Sequence, residues 1–369
     1  MRPRRRYWFI SVAPLPLLVI STALALLSPS VPAQDTVDYK AMDPTGAFAY
    51  AQDLLRDGER SEAMKVLEFI SETFPQTNEG PRALYVLANV VGNNGRIDKA
   101  LAMYARLQEK HPDHWTVTSG GVAQYVAQLQ SAASDHEAVI ETVQAALTRH
   151  DPYTNTAGWA LATIRMAQAH VALGQLSEAG KLLDERLPKC PWLVTRPELY
   201  DTLSRAQIRQ RDYGNAQSTA RAAYAVCEFH EKEIKRTVEL VRRVFMGVGN
   251  VQAGVAFIAA QEDADAPNPL RDTPLPTLSP EAKTAFLAAS AADPVLRICA
   301  LLYLGDTETA LDAATERMFG APPEDAVATI LDVARVLKAA DLNLVRANRF
   351  IEFSKTGQGE NPLVTDPAP

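Results

Sequence analysis

Apolar residues recur along this chain at the three-and-four spacing of a helix. Leu84, Leu87, Ala88 and Val91 make one such stripe and Leu101, Tyr104 and Leu107 the next. Each stripe is read as the core face of an amphipathic helix. Between stripes a fixed punctuation appears, in which a glycine is followed five positions later by an alanine: Gly58 and Ala63, Gly95 and Ala100, Gly174 and Ala179, Gly305 and Ala310. A proline stands twelve residues beyond each alanine, at Pro75, Pro112, Pro191 and Pro322. Read less strictly, the frame also accepts Ala138 with Pro152 two residues late, Ala216 in Asp212-Tyr213-Gly214-Asn215-Ala216, Gly254 after Gly249, and Ala347 after Leu342. The anchors from Ala63 to Gly254 then step by 37, 38, 41, 37 and 38 residues, and Ala310 to Ala347 by 37.

A physical unit follows from this frame. Glycine permits the left-handed residue that closes a first helix, alanine lets the second helix approach it, and proline stops the second helix for want of a backbone donor. One such pair cannot bury its own apolar stripe, so neighbouring pairs must stack, and the predicted fold is an all-α helix-turn-helix repeat solenoid.

The alanine-rich first helix, the glycine turn, the following alanine and the terminal proline resemble the tetratricopeptide repeat (TPR). The resemblance covers most of residues 44–355 and is strongest from Ala83 to Pro112, where Leu87, Ala88, Gly95, Ala100, Tyr104 and Pro112 fall on the family's pattern in order. The period departs from that pattern, being longer than the usual ~34 residues. The resemblance implies a TPR-like superhelix whose concave face, built from the first helix of each unit, holds a peptide or a partner's helix. Carried onto this chain, its groove residues would be Arg82, Tyr85, Asn89, Gln168, Asp201 and Arg205. Tyr85 stands out as an aromatic residue among polar neighbours, the type that binding hot spots favour.

Other composition marks the boundaries. Arg2, Arg4, Arg5 and Arg6 precede an uncharged run from Tyr7 to Leu27, and Val31-Pro32-Ala33 follows, so residues 1–33 are expected to be a signal peptide cleaved after Ala33. An uncleaved anchor is the alternative, and only that form would attach the protein to a membrane. Pro14 and Pro16 oppose it by shortening the hydrophobic run to Leu17–Leu27. Residues 34–43 would be a short linker, 44–263 N-terminal TPR-like repeats, 264–280 a Pro-rich loop or hinge, 281–355 C-terminal repeats and 356–369 a disordered tail. Pro267, Pro269, Pro274, Pro276 and Pro280 mark the hinge. The expected protein is thus an exported bacterial one, periplasmic or held in the cell envelope.

Charge removes one class of partner. The whole chain carries 37 basic against 44 acidic residues, and loss of the four N-terminal arginines leaves 33 against 44, or −11. No phosphate-neutralising stripe is expected, and no nucleic-acid partner. Arg236, Arg242 and Arg243 with Lys232 and Lys235 form a local basic cluster, but Glu231, Glu233 and Glu239 interleave with it, as on a solvated helix face with internal ion pairs.

Catalytic signatures are missing from the sequence: there is no glycine-rich phosphate loop, no G-x-S-x-G elbow and no H-E-x-x-H helix. His111 and His114 flank a unit boundary, and Cys227 and His230 lie three apart, yet neither pair has the further ligands a stable metal site needs. No catalytic residue, metal or cofactor is expected. Cys190 and Cys227 stand 37 residues apart at equivalent places in adjacent units, which predicts two separate buried thiols, and Cys299 falls in an apolar stretch.

Three functional classes remain. The first is a non-catalytic interaction scaffold or adaptor binding a protein or peptide. The second is a structural or accessory subunit of a larger envelope complex, docking through its C-terminal repeats. Behind both stands a divergent enzyme. Loss of residues 281–369 is expected to separate the first two, since a groove binder should tolerate it.

Overall fold

The computed structural model describes residues 38–150, 155–230, 234–262, 268–271, 273–322 and 325–339. The expected signal peptide, the tail, the unit anchored on Ala347 and residues 264–267 of the Pro-rich stretch lie outside these. Among the described residues the regular structure is entirely helical, as the apolar periodicity predicts.

Six helix pairs follow one another. They are α1 (Pro44–Arg56) with α2 (Arg60–Thr73), α3 (Glu79–Asn93) with α4 (Ile97–Lys110), and, after the short α5 (Trp115–Thr118), α6 (Gly121–Ala132) with α7 (His136–His150). Then come α8 (Ala157–Ala172) with α9 (Leu176–Arg186), α10 (Pro197–Arg209) with α11 (Tyr213–His230), and α12 (Ile234–Gly247) with α13 (Val251–Glu262). A 3-10 helix, Pro191–Thr195, sits between α9 and α10. The C-terminal part holds α14 (Pro280–Ser290), α15 (Pro294–Leu304), α16 (Thr307–Gly320) and α17 (Ala326–Ala339). Of these, α15 and α16 form a seventh pair of the same kind.

One turn is used seven times. A left-handed residue ends each first helix: Gly58, Gly95, Ser134, Gly174, Arg211, Gly249 and Gly305, with φ between 60° and 87°. The N–H of the next residue donates to the carbonyl five positions back at 2.8–3.2 Å, as in Glu59 to Leu54, Asp135 to Gln130, Asp212 to Gln207 and Asp306 to Leu301. These bonds satisfy carbonyls that the helix end would otherwise leave unpaired. The fifth residue after the left-handed position is buried every time: Ala63, Ala100, Val139, Ala179, Ala216, Gly254 and Ala310. In the third pair the anchor is therefore Val139, fully buried, and not the expected Ala138, which is half-buried. The turn residue there is Ser134, so no glycine fixed the register in the sequence. The steps between anchors become 37, 39, 40, 37 and 38 residues.

The prolines act as predicted. α2, α4 and α16 each end two residues before Pro75, Pro112 and Pro322, and Pro191 opens the 3-10 helix after α9.

Apolar packing runs on from pair to pair. Phe48, Leu67, Leu87, Tyr104 and Val122 share one cluster across α1 to α6. Val139, Trp159 and Met166 continue it through α6 to α8. After α13 the chain turns back: α15 and α17 pack against α11, and α14 and α15 against the 3-10 helix. Phe286, Cys299 and Val333 consequently share a core with Ala160, Tyr200 and Phe229. The described part of the Pro-rich stretch lies on the stack, with Leu270 buried beside Phe245 and Phe257, and Leu275 and Leu278 against the larger core.

Candidate functional site

The predicted groove residues fall into two groups, with Gln168 half-buried on α8 and part of neither. The first group lies on α3. Tyr85 is surrounded by rings from three other elements: Tyr104 of α4 at 6.3 Å between centroids, Trp115 of α5 at 6.4 Å and Tyr125 of α6 at 5.7 Å. It is therefore half-buried in an aromatic cluster, which corrects its expected setting among polar neighbours. Tertiary packing brings rings to it that local sequence does not. Burial, followed by the adjacent Tyr125, pushes the Tyr85 phenol up to about 12, so the ring is a neutral packing and hydrogen-bonding surface at ordinary pH.

Asn89 accepts a hydrogen bond from the Tyr104 hydroxyl, fixing that ring. Arg82 lays its guanidinium 4.5 Å over the Phe48 ring of α1, a cation–π contact. Both expected groove residues thus support their surroundings within the fold. The exposed element of the cluster is one that sequence reasoning missed: Trp115, half exposed (50%), leaning on Tyr85 and on His114. His114 is held by Thr116 and by Asn78, the latter at 3.2 Å from its Nε2. Burial lowers the basicity of His114 and His111 alike. A large aromatic residue just after the unit-ending proline was the available signal for Trp115.

The second group builds a cleft of about 210 Å³ between α10, α11 and α12. Asp201 and Arg205 line it from α10, and Arg236 and Arg243 from α12, with the apolar Pro197, Ala223 and Leu240 beside Tyr200 and Thr237. Asp201 forms ion pairs with two arginines, Arg205 at 2.9 Å from one oxygen and Arg243 at 3.0 Å from the other. Arg236 pairs with Glu198 at 2.9 Å, and Arg242 grips Glu239 through two hydrogen bonds of 2.7 Å. The expectation of ion pairs internal to one helix face holds for Arg242 and, at 4.0 Å from Glu239, for Arg243, while Arg236 and Arg243 also reach across to α10. The signal was available in the spacing. Glu198 and Arg236 are 38 residues apart, one repeat period, which sets opposite charges on facing helices of adjacent units.

Among the described residues no group of three or more His, Cys, Asp or Glu is placed to hold a metal. The side chains of Cys227 and His230 lie outside what is described. Cys190 is a free, buried thiol whose Sγ donates to the Thr156 carbonyl at 3.6 Å, and burial pushes it up to about 11. Cys299 is buried and free of a disulfide as well.

Seven identical turns, continuous packing between successive pairs and a wholly helical described chain define a helical-hairpin repeat protein. No family model matches the sequence, and no curated protein matches it. Among solved structures, a tetratricopeptide repeat protein from Parabacteroides merdae is similar over 81% of this chain and 99% of its own, at 14% identity and a TM-score of 0.44. The structure of Naa15/Naa10 bound to HypK-THB aligns with 85% of this chain and 63% of its own, at 12% identity and a TM-score of 0.23. The repeat assignment stands on the chain's own turns and packing, not on these likenesses.

Proposed function

We propose that this chain is a non-catalytic interaction scaffold of the cell envelope, exported by its N-terminal segment, and that it holds a peptide or helix of another protein along the first helices of its pairs. The observation that carries this reading is the aromatic cluster on α3 to α6. Tyr85 is fixed among three rings, and Trp115 is left half open to solvent beside it. Rigid, partly exposed aromatic residues lose little entropy on binding and contribute more than other types to hot spots.

The test is crosslinked affinity capture from the protein's own envelope, run beside a Trp115→Ala variant and a Tyr85→Phe variant that keeps the ring. A discrete partner lost with Trp115→Ala and retained with Tyr85→Phe supports the scaffold reading. Equal capture by all three proteins refutes this face as the binding surface.

A second reading, a subunit docking through its C-terminal helices, is favoured by one observation. Phe319 near the end of α16 is 73% exposed. Loss of the captured partner with Phe319→Ser, but not with Trp115→Ala, would favour it.

A further inference from the structure

We propose that the open face of α13 is a self-association surface, on which a second copy of this chain docks its own α13 antiparallel about a two-fold axis. The consecutive stack ends on α12 and α13, because the described chain then returns to α11 and the 3-10 helix. α13 is apolar on every side. Gly254 and Phe257 face inwards, the Phe257 ring lying 5.7 Å from that of Tyr224 on α11. On the other side Val251 is 49% and Val255 66% exposed, and the exposed Ala259 continues the row at the four-residue spacing of one helix face. Met246, exposed at the end of α12, borders this row, its Sδ 4.0 Å from where a Cβ on Gly254 would stand. From Met246 to Gln261 the sequence holds no Asp, Glu, Lys or Arg, and Glu262 is the only one in α13.

The other helices show what such a composition signifies. The second helices α2, α4, α7, α9 and α16 turn charges to solvent, as at Lys65, Arg106, Glu141, Lys181 and Asp312. By contrast α11 holds only Arg221 and Glu228, and it is covered by α15 and α17. A helix apolar all round is a buried one. By that rule α13 needs a cover, and an uncapped end of a repeat stack is where a solenoid is least soluble.

Charge selects the occupant. An isologous interface sets a patch against itself, so on a chain of formal net charge −7 most surfaces would repel their own copy. The row of Val251, Val255 and Ala259 meets itself without that cost. Arg242 and Arg243 nearby on α12 are held by Glu239 and Asp201. An axis through the middle of the row sets Val255 against Val255 of the second copy and Val251 against Ala259, and antiparallel helices also oppose their dipoles favourably. Two helices of about 20 Å by about 10 Å present roughly 400 Å², below the ~800 Å² per partner of a standard interface. The dimer is therefore a reversible one.

The experiment is sedimentation velocity of the mature protein from about 1 μM to about 300 μM, a range that brackets a weak association. Wild type is expected to shift from monomer to dimer across it. Val255→Glu and Val255→Lys should each weaken association at least about tenfold, because each sets two like charges together at the axis. An equimolar mixture of the two should recover it, since opposite charges then face each other. A variant that merely loosens the fold cannot be rescued in this way, and the urea midpoints of both should match wild type at concentrations where wild type is monomeric.

A wild type that stays monomeric throughout overturns the proposal, whether another protein or residues 340–369 of the same chain then cover α13. Association indifferent to Val255→Glu also overturns it by moving the contact elsewhere. So does a mixture no stronger than either variant alone, because the contact is then not α13 against α13. None of these results bears on Trp115, and the scaffold reading is tested separately.

Discussion

Replacing Arg211 with glycine is expected to stabilise the protein by about 0.5–1 kcal/mol. Arg211 is exposed and holds φ at 61° in the turn between α10 and α11, where five of the seven equivalent turns use glycine. A left-handed residue with a Cβ costs about 1–2 kcal/mol, while glycine returns roughly half of that through the greater freedom of its unfolded chain. The reverse change isolates the same quantity. A Cβ at Gly95 or Gly174 would meet nothing within 4 Å, so Gly95→Ala and Gly174→Ala should each cost about 1 kcal/mol through backbone strain alone. Ser134→Gly, at φ 60°, should behave as Arg211→Gly does. Urea unfolding followed by circular dichroism reads these values as midpoint shifts at constant slope. A destabilising Arg211→Gly together with a neutral Gly95→Ala would refute the claim that conformational strain governs these turns.

Gly120 sits at φ 80° with the Trp159 ring 2.7 Å from where a Cβ would stand. Gly120→Ala should therefore cost about 2–4 kcal/mol, well beyond the Gly95 variant, in the same urea assay. In α17, Asp332 is nearly buried and pairs with Arg317 of α16 and with Arg335, the latter at 3.2 Å. Asp332→Ala should cost about 2 kcal/mol by leaving the half-buried Arg317 without its partner, again read from the urea midpoint. The Cys190 thiol, raised to about 11 by burial, stays protonated at pH 8 because its thiolate form gains population only near and above that value. Mass mapping after iodoacetamide should find Cys190 unlabelled in the native protein and labelled in urea.

Helix pairing was legible in the sequence because three residue types act locally. Glycine permits the turn, alanine the close approach, and proline the stop, and each does so whatever the rest of the chain does. Register failed at Ala138 for the matching reason, since Ser134 takes the left-handed conformation without announcing it. The return of the C-terminal helices was not legible, because a local period describes each hairpin and says nothing about which surface the next one meets. One trace existed: α15 buries Leu296, Ile298, Cys299, Ala300, Leu301, Leu302 and Tyr303 on all sides. A helix apolar all round is sandwiched, not at the end of a stack. For the candidate surfaces the sequence named Tyr85, Asp201 and Arg205 as expectations, whereas Trp115, Arg236 and Arg243 come beside them only through contacts between elements that local sequence does not show.

That return also changes how the two functional readings can be separated. Loss of residues 281–369 was expected to spare a groove binder. The structure contradicts that expectation, because Phe286, Ile298, Leu301 and Val333 share a continuous core with Leu193, Tyr200 and Phe229. Removing the C-terminal helices would bare this apolar surface on α11 and the 3-10 helix, and α11 in turn packs against α10, which carries Asp201 and Arg205. At about 25 cal/mol per Å² of apolar surface, the loss of several fully buried large side chains exceeds the stability of a typical domain. Truncation would therefore abolish binding under either reading, by unfolding the face that a groove binder needs. Single exposed residues keep the core intact and still distinguish the faces. A partner that requires Trp115 engages the aromatic cluster on α3 to α6, and one that requires Phe319 engages α16.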